Sequence, residues 1–194
     1  MRGLSAALLL MIAAAPAAAQ QVDISVTTAA DGARTLAHEI IIPAPLAEVW
    51  EAVSTPEGWR TWAVPLARAV PGAPDRFETG YDPAAEPASA ATIEQMWVER
   101  AAPNRVTFRT TRTPQGFPHA ETYLRVTSSF TLNPVNATAT RVRLTGSGYA
   151  AGPAGDTLIA FFREGNRTSL QQLHTRFTTG PIDWAAMRAQ PKEQ

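Results

Sequence analysis

Two stretches in the second half of the chain alternate with period two, and that pattern limits the fold more than any other feature. In Tyr123–Leu132, Leu124, Val126, Ser128, Phe130 and Leu132 stand opposite Arg125, Thr127, Ser129 and Thr131. Ala139–Thr145 repeats it, with Val142 and Leu144 against Arg141, Arg143 and Thr145. Successive strand side chains point to opposite faces, so such segments belong to an antiparallel sheet with one wet face and one covered face. The cover must come from elsewhere in the chain. From Ala154 to about Phe177, Leu158, Phe162, Ser169, Leu173 and Phe177 recur at three- and four-residue steps, with Ile159, Asn166 and Leu170 beside them. That spacing predicts one long amphipathic helix, roughly 35 Å at 1.5 Å per residue. Gly180-Pro181 ends it, leaving a tail over 181–194.

The upstream half supplies more strands and two short helices. Val22–Thr28 alternates, Asp31-Gly32 turns the chain, and Thr35–Ile42 is a second β-branched run, together a hairpin. Pro43-Ala44-Pro45 stops the strand, because proline cannot donate to the ladder. Leu46, Val49, Trp50 and Val53 then fall at helical spacing, and that shared face places Trp50 in the core. Thr55 and Pro56 suit the N-cap and first position of a second helix carrying Trp59 and Trp62. Leu66–Val70, Arg76–Gly80, Ala90–Arg100 and Arg105–Thr111 read as further strands, with Ile93, Gln95 and Trp97 sharing one face.

Composition removes whole classes of chemistry. The 194 residues suit a single domain, within the roughly 100–200 residues usual for one. With no cysteine there is no thiol nucleophile, CxxC redox pair or zinc knuckle. Lys192 is the only lysine, which leaves Schiff-base chemistry one candidate on the tail. Formal net charge is zero, which argues against a nucleic-acid partner. His38, His119 and His174 lie far apart and outside HxH or HExxH spacing, so neither a metal nor another cofactor is expected.

The first nineteen residues read as a separate object. Arg2 supplies a positive charge, Leu4–Ala15 is a short apolar run, and Pro16-Ala17-Ala18-Ala19 ends in small residues. This is the layout of a signal peptide, and the apolar run falls short of the ~20 residues a bilayer span needs. The division expected is therefore a signal peptide at 1–19, a domain at 20–180 and the tail. A periplasmic or secreted location follows, with no stable membrane insertion once the leader is cleaved.

The run His38-Glu39-Ile40-Ile41-Ile42-Pro43-Ala44-Pro45-Leu46-Ala47-Glu48-Val49-Trp50-Glu51-Ala52-Val53-Ser54-Thr55-Pro56-Glu57-Gly58-Trp59-Arg60-Thr61-Trp62 resembles the opening of the START/Bet v 1-like (SRPBCC) superfamily. Within it, the likeness is to the branch of the activator of Hsp90 ATPase. It extends through Thr140–Tyr149, like the family's last strand, to Phe161-Phe162-Arg163-Glu164-Gly165-Asn166 in the long helix. The resemblance implies an α+β helix-grip fold: a curved antiparallel sheet wrapped around a long C-terminal helix, with two short helices after the first strand. It also implies a cavity for apolar or amphipathic small molecules. The leader and the extra strand around Val22–Thr28 depart from the cytosolic pattern, and export sits poorly with a cytosolic Hsp90 partner.

The reading that follows is an exported binding protein for a hydrophobic or amphipathic small molecule, held between the sheet and the C-terminal helix. Aromatic residues Trp62, Trp97, Phe108, Tyr149 and Phe162 are the candidate walls, with Asn166 and Ser169 as polar groups on or beside the helix's covered face. Thr111–Glu121 could form a mobile rim, with Phe117 as a plug and His119 beside it. Gly165 in mid-helix costs ~1 kcal/mol relative to alanine, and close approach of a strand or ligand would rationalise it. Two alternatives use other residues. A cyclase- or hydrolase-like enzyme would draw its acid–base group from Glu94, His119, Glu121 or Tyr149, with no catalytic residue assigned. A protein-interaction module would present Trp59, Trp62 and Trp184 as an exposed patch to a partner the sequence does not identify. Cleavage after Ala19 predicts a mature chain beginning at Gln20, which the intact mass of exported protein reads directly. Exported protein that retains Met1–Ala19 overturns the leader.

Overall fold

Asp31 and Gly32 reverse the chain as their types require: Gly32 takes φ +83°, and the Asp31 carboxylate accepts the Ala33 N–H at 3.0 Å. The resulting hairpin, β1 (Asp23–Thr28) and β2 (Arg34–Ile42), opens a computed structural model that describes residues 21–189. The leader read at 1–19 and the end of the tail lie outside the described residues.

After β2 come α1 (Leu46–Ser54) and α2 (Pro56–Arg60), then β3 (Leu66–Val70), β4 (Ala73–Gly80), β5 (Ile93–Ala101) and β6 (Arg105–Arg112). One turn of helix, α3 (Ala120–Tyr123), precedes β7 (Thr127–Asn136) and β8 (Ala139–Tyr149). The long α4 (Pro153–Thr178) and the short α5 (Trp184–Ala189) finish the described chain. All eight strands form one antiparallel sheet in the order β1-β2-β8-β7-β6-β5-β4-β3. This is the helix-grip architecture: the sheet wraps α4, and the two short helices follow the second strand because β1 is the extra one.

The joint between α1 and α2 is tight. Thr55 caps α2 by accepting the Gly58 N–H at 2.9 Å, and Pro56 fills the first helical position. A Cβ on Gly58 would lie 2.6 Å from the Ala52 carbonyl oxygen and closer still to that of Glu51. Only glycine allows the approach. Trp59 and Trp62, one helical turn apart, then turn back and donate their indole N–H groups to the Val53 and Ala52 carbonyls, each at 2.8 Å. Those carbonyls stand at the C-terminal end of α1, where a helix lacks internal donors.

Two sequence expectations change. Tyr123 and Leu124 leave the strand: Tyr123 sits in α3 and stacks on Phe162 at 4.6 Å between ring centres, a tertiary contact that overrides local alternation. Gly165 has no strand near it, since a Cβ there would meet nothing within 4 Å. The segment after Gly180 packs back onto α2, with the Ile182 N–H on the Thr61 carbonyl at 3.0 Å and the Trp184 indole on the Arg60 carbonyl at 2.6 Å.

Beneath α4, fully buried His38 on β2 bonds through Nε2 to the Arg163 carbonyl at 3.0 Å. Burial lowers the His38 pKa from its ordinary 6.5 and the Arg163 charge adds to this, against the raising effects of the Arg163 carbonyl and Glu164. Burial alone lowers that of His174.

Two predictions follow from these seats. Gly58→Ala should lower unfolding free energy by about 1–3 kcal/mol or more, whereas Gly165→Ala should raise it by about 0.5–1 kcal/mol, both read by denaturant titration. Because the folded state favours neutral His38, its stabilisation is complete above pH 6.5 and is lost as the pH falls toward and through its lowered pKa. The melting temperature should therefore drop from about pH 7.5 to about pH 5.5, and His38→Gln should reduce the drop. An unchanged drop in that variant assigns the effect elsewhere, to His174 first.

Candidate functional site

The buried face of α4 is broken in its middle. Leu158 near its start and Leu170 and Leu173 near its end are fully buried, while Phe162, Asn166 and Ser169 between them are only half-buried. The hydrophobic core divides at the same place. One cluster joins α1, α2 and the sheet to Leu170 and Leu173, and a smaller one gathers Leu36, Val126, Tyr149 and Leu158. Between them lies a cavity of about 140 Å³.

Rigid rings form its walls. Trp59 meets the rings of Phe77, Phe108 and Phe130 edge-on, at 5.3, 5.4 and 6.3 Å between centres. Trp59, Trp62, Phe108 and Phe130 line the deep side, and Tyr149, Tyr123 and Phe162 line the side toward the N-terminal half of α4. The polar lining comes from Gln95 and Thr79 of the sheet, Ser128 of β7, Asn166 and Ser169 of α4, and the tyrosine hydroxyls. Gln95 is 6% exposed. Its Nε2 donates to the Thr79 hydroxyl at 3.2 Å, while its Oε1 is buried with no hydrogen-bond partner. Tyr149 lies flat across Gly146, where a Cβ would stand 2.8 Å from the phenol oxygen, so the absent side chain makes room for the ring. Burial, with the neighbouring Tyr123 adding to it, pushes the Tyr149 pKa far above the usual tyrosine range. Burial also raises that of Tyr123, against a lowering contribution from Thr110. Both phenols stay protonated at neutral pH and can donate a hydrogen bond.

One rim is anchored from the sheet's outer face. Burial disfavours the Glu78 carboxylate, but Arg68, the Ala88 N–H and Thr92 together outweigh that and hold its pKa below the usual range. Arg68 reaches it at 2.9 Å and Arg112 at 2.7 Å, with the Ala88 N–H at 2.8 Å. This clamp fixes the segment between β4 and β5, whose ends carry the lining residues Gly80, Tyr81 and Ile93.

Of the sequence-predicted site residues, Trp62, Phe108, Tyr149, Phe162, Asn166 and Ser169 line the cavity. Trp97, Phe117 and His119 do not. Trp97 stacks on Phe77 at 4.1 Å and meets Phe108 edge-on, in the ring layer behind the wall. Phe117 packs on the outer side of Tyr123 and Phe162, at 5.2 and 6.4 Å, and so covers the lining instead of entering it. His119 is exposed, in a left-handed conformation with φ +53° ahead of α3. Among the acid–base candidates Tyr149 alone reaches the cavity: Glu94 is on the outer face of β5, paired with Arg76 at 2.8 Å, and Glu121 is exposed. The aromatic interaction patch is not formed, because Trp59 and Trp62 are 8% and 2% exposed. Sequence reasoning missed Gln95, Trp59, Tyr123 and Phe130 as lining; the shared face of Ile93, Gln95 and Trp97 carried the signal for Gln95.

Comparison with known proteins agrees with this architecture. No curated protein matches the chain. Similar solved structures include the Aha1 dimer from Colwellia psychrerythraea, with 16% identity, a TM-score of 0.58, and coverage of 75% of this chain and 97% of that one. Protein MLL2253 from Mesorhizobium loti shares 19% identity at a TM-score of 0.59, covering 77% and 100%. CalU16 from Micromonospora echinospora shares 17% at 0.56, covering 88% and 91%. At such identities the likeness shows the fold alone. The family model for polyketide cyclase/dehydrase and lipid transport, by contrast, matches residues 33–178, from the start of β2 to the end of α4. The chain therefore belongs to the polyketide cyclase/dehydrase and lipid transport family, within the START/Bet v 1-like superfamily.

Proposed function

We propose that this is an exported binding protein, periplasmic or secreted, that holds a hydrophobic or amphipathic small molecule in the cavity between the sheet and α4. The observation that carries the reading is a space walled by aromatic rings and edged by a few amides and hydroxyls, set where the core divides in two. Small-molecule sites have this character, mostly apolar with a few placed polar groups. The leader-like residues 1–19 support the location. The family's description includes lipid transport, which agrees with a carrier.

The lining also favours binding over turnover. Among the described residues, no carboxylate or imidazole lines the cavity, and burial raises the pKa of two of its phenols, Tyr123 and Tyr149. A reaction that needs a base at neutral pH finds no acceptor there. A phenol can still polarise a carbonyl, so the enzymatic alternative would act through Tyr149 or another of the lining phenols.

Filling the space separates a binding site from a mere packing defect. Ser169→Leu adds apolar volume to the lining, and it should hold or raise the melting temperature while removing at least about nine-tenths of the small molecule that co-purifies with the chain. Native mass spectrometry of the exported protein and its variant reads the bound fraction. Equal ligand in both, or none in either after exposure to a lipophilic extract, would overturn the proposal.

A further inference from the structure

The cavity as it stands is too small for a lipid chain or a fused-ring molecule. Ligand pockets for drug-sized molecules run to roughly 300–1,000 Å³, against about 140 Å³ here. An apolar cavity of about 150 Å³ is known to take benzene. Volume therefore restricts what this space can enclose to about one ring.

Shape and charge restrict it further. Trp59 and Phe108, on the deep side, are set 5.4 Å apart and nearly perpendicular, so they offer a flat occupant both a face and an edge. Among the described lining residues none is charged, so an ion entering would lose its hydration without a partner. One polar requirement remains unmet. Gln95 points inward from β5, its Nε2 is occupied by Thr79, and its buried Oε1 has no donor. Tyr149, across the cavity, is a neutral phenol that can supply or accept one more hydrogen bond.

Resting on the binding reading above, we propose that the cavity selects an uncharged, single-ring molecule bearing a hydrogen-bond donor. A phenolic or benzylic hydroxyl is the simplest such group. The ring lies among Trp59, Phe108 and Phe130, and its O–H donates to Gln95 Oε1. Gln95 is the specificity-determining residue, because only a donor relieves its unpaired oxygen. The aromatic rings give the affinity and Gln95 the choice.

Calorimetric titration of the intact exported protein with phenol, anisole, benzene, benzoate and dodecanol tests this. Phenol should bind about tenfold tighter than anisole, which keeps the ring and oxygen but lacks the donor. Benzene should bind weakly, and benzoate not at all. In Gln95→Leu the preference of phenol over anisole should fall to about onefold, with benzene binding retained. Should that variant fail to fold, the phenol, anisole and benzene series on the unaltered protein decides alone. Equal affinity for phenol and anisole overturns the role of Gln95 and leaves the binding reading standing. Dodecanol binding tighter than phenol overturns the single-ring limit and likewise leaves a lipophile carrier. Failure of every probe, with Ser169→Leu also without effect on co-purifying ligand, sinks both.

Discussion

The seat of α4 on β2 is the contact on which the rest of the molecule depends. Arg34, at the start of β2, bonds to Asp156 in the first turn of α4 and donates to the Ala150 carbonyl at 2.6 Å. His38, four residues along the strand, holds the Arg163 carbonyl about two turns further on. Gly155 allows the approach, because a Cβ there would collide with the Ala150 carbonyl and the Arg34 guanidinium. These contacts set the height of the helix above the sheet at its N-terminal half, and Leu170 and Leu173 set it at the other end. A helix fixed at both ends cannot sag in the middle, so the space beneath Phe162, Asn166 and Ser169 persists.

Aromatic packing keeps that space from closing from the other side. Small aliphatic side chains can shift rotamers into a void, whereas interlocked rings move only together. Trp59 is held at its N–H by Val53 and at its faces and edges by Phe77, Phe108 and Phe130, and Trp62 is tied to Ala52. The two indoles thus act as fixed walls that also join α2 to α1. The pinning of α2 to α1 and the wall of the site are one arrangement.

Much of the architecture was legible because burial leaves a periodic trace. The alternation of Phe130 and Leu132, or of Val142 and Leu144, marks the covered face of β7 and β8, and the i, i+4 steps of α4 mark its seat. Thr55-Pro56 announced the second helix through capping chemistry that is local to the chain. What escaped depends on contacts between distant residues. Tyr123 stands in an alternating run, yet leaves the strand for a stack on Phe162 that no local pattern encodes. Trp97 and Phe108 share the covered face of the sheet, and only three-dimensional layering puts one behind the wall and the other in it. Gly165 looked like the mark of close approach and faces open space, and the structure offers no reason for glycine there.

The inward-facing Gln95 shows how site and fold make opposite demands on one residue. An apolar side chain at that position of β5 would fit a covered sheet face and would leave no buried oxygen without a donor. The same strand carries Trp97 inward two residues later, where the ring stacks on Phe77. A residue that costs stability where an apolar one would not, beside a void that rings hold open, is the pattern expected when local consistency yields to binding. The neutral phenols of Tyr123 and Tyr149 belong to the same logic. Phenols are uncharged at neutral pH and no charged residue lines the cavity among those described, so an occupant would meet hydrogen-bonding groups but no ion. On the binding reading proposed above, such a site discriminates by shape, by the placement of a single donor and against net charge.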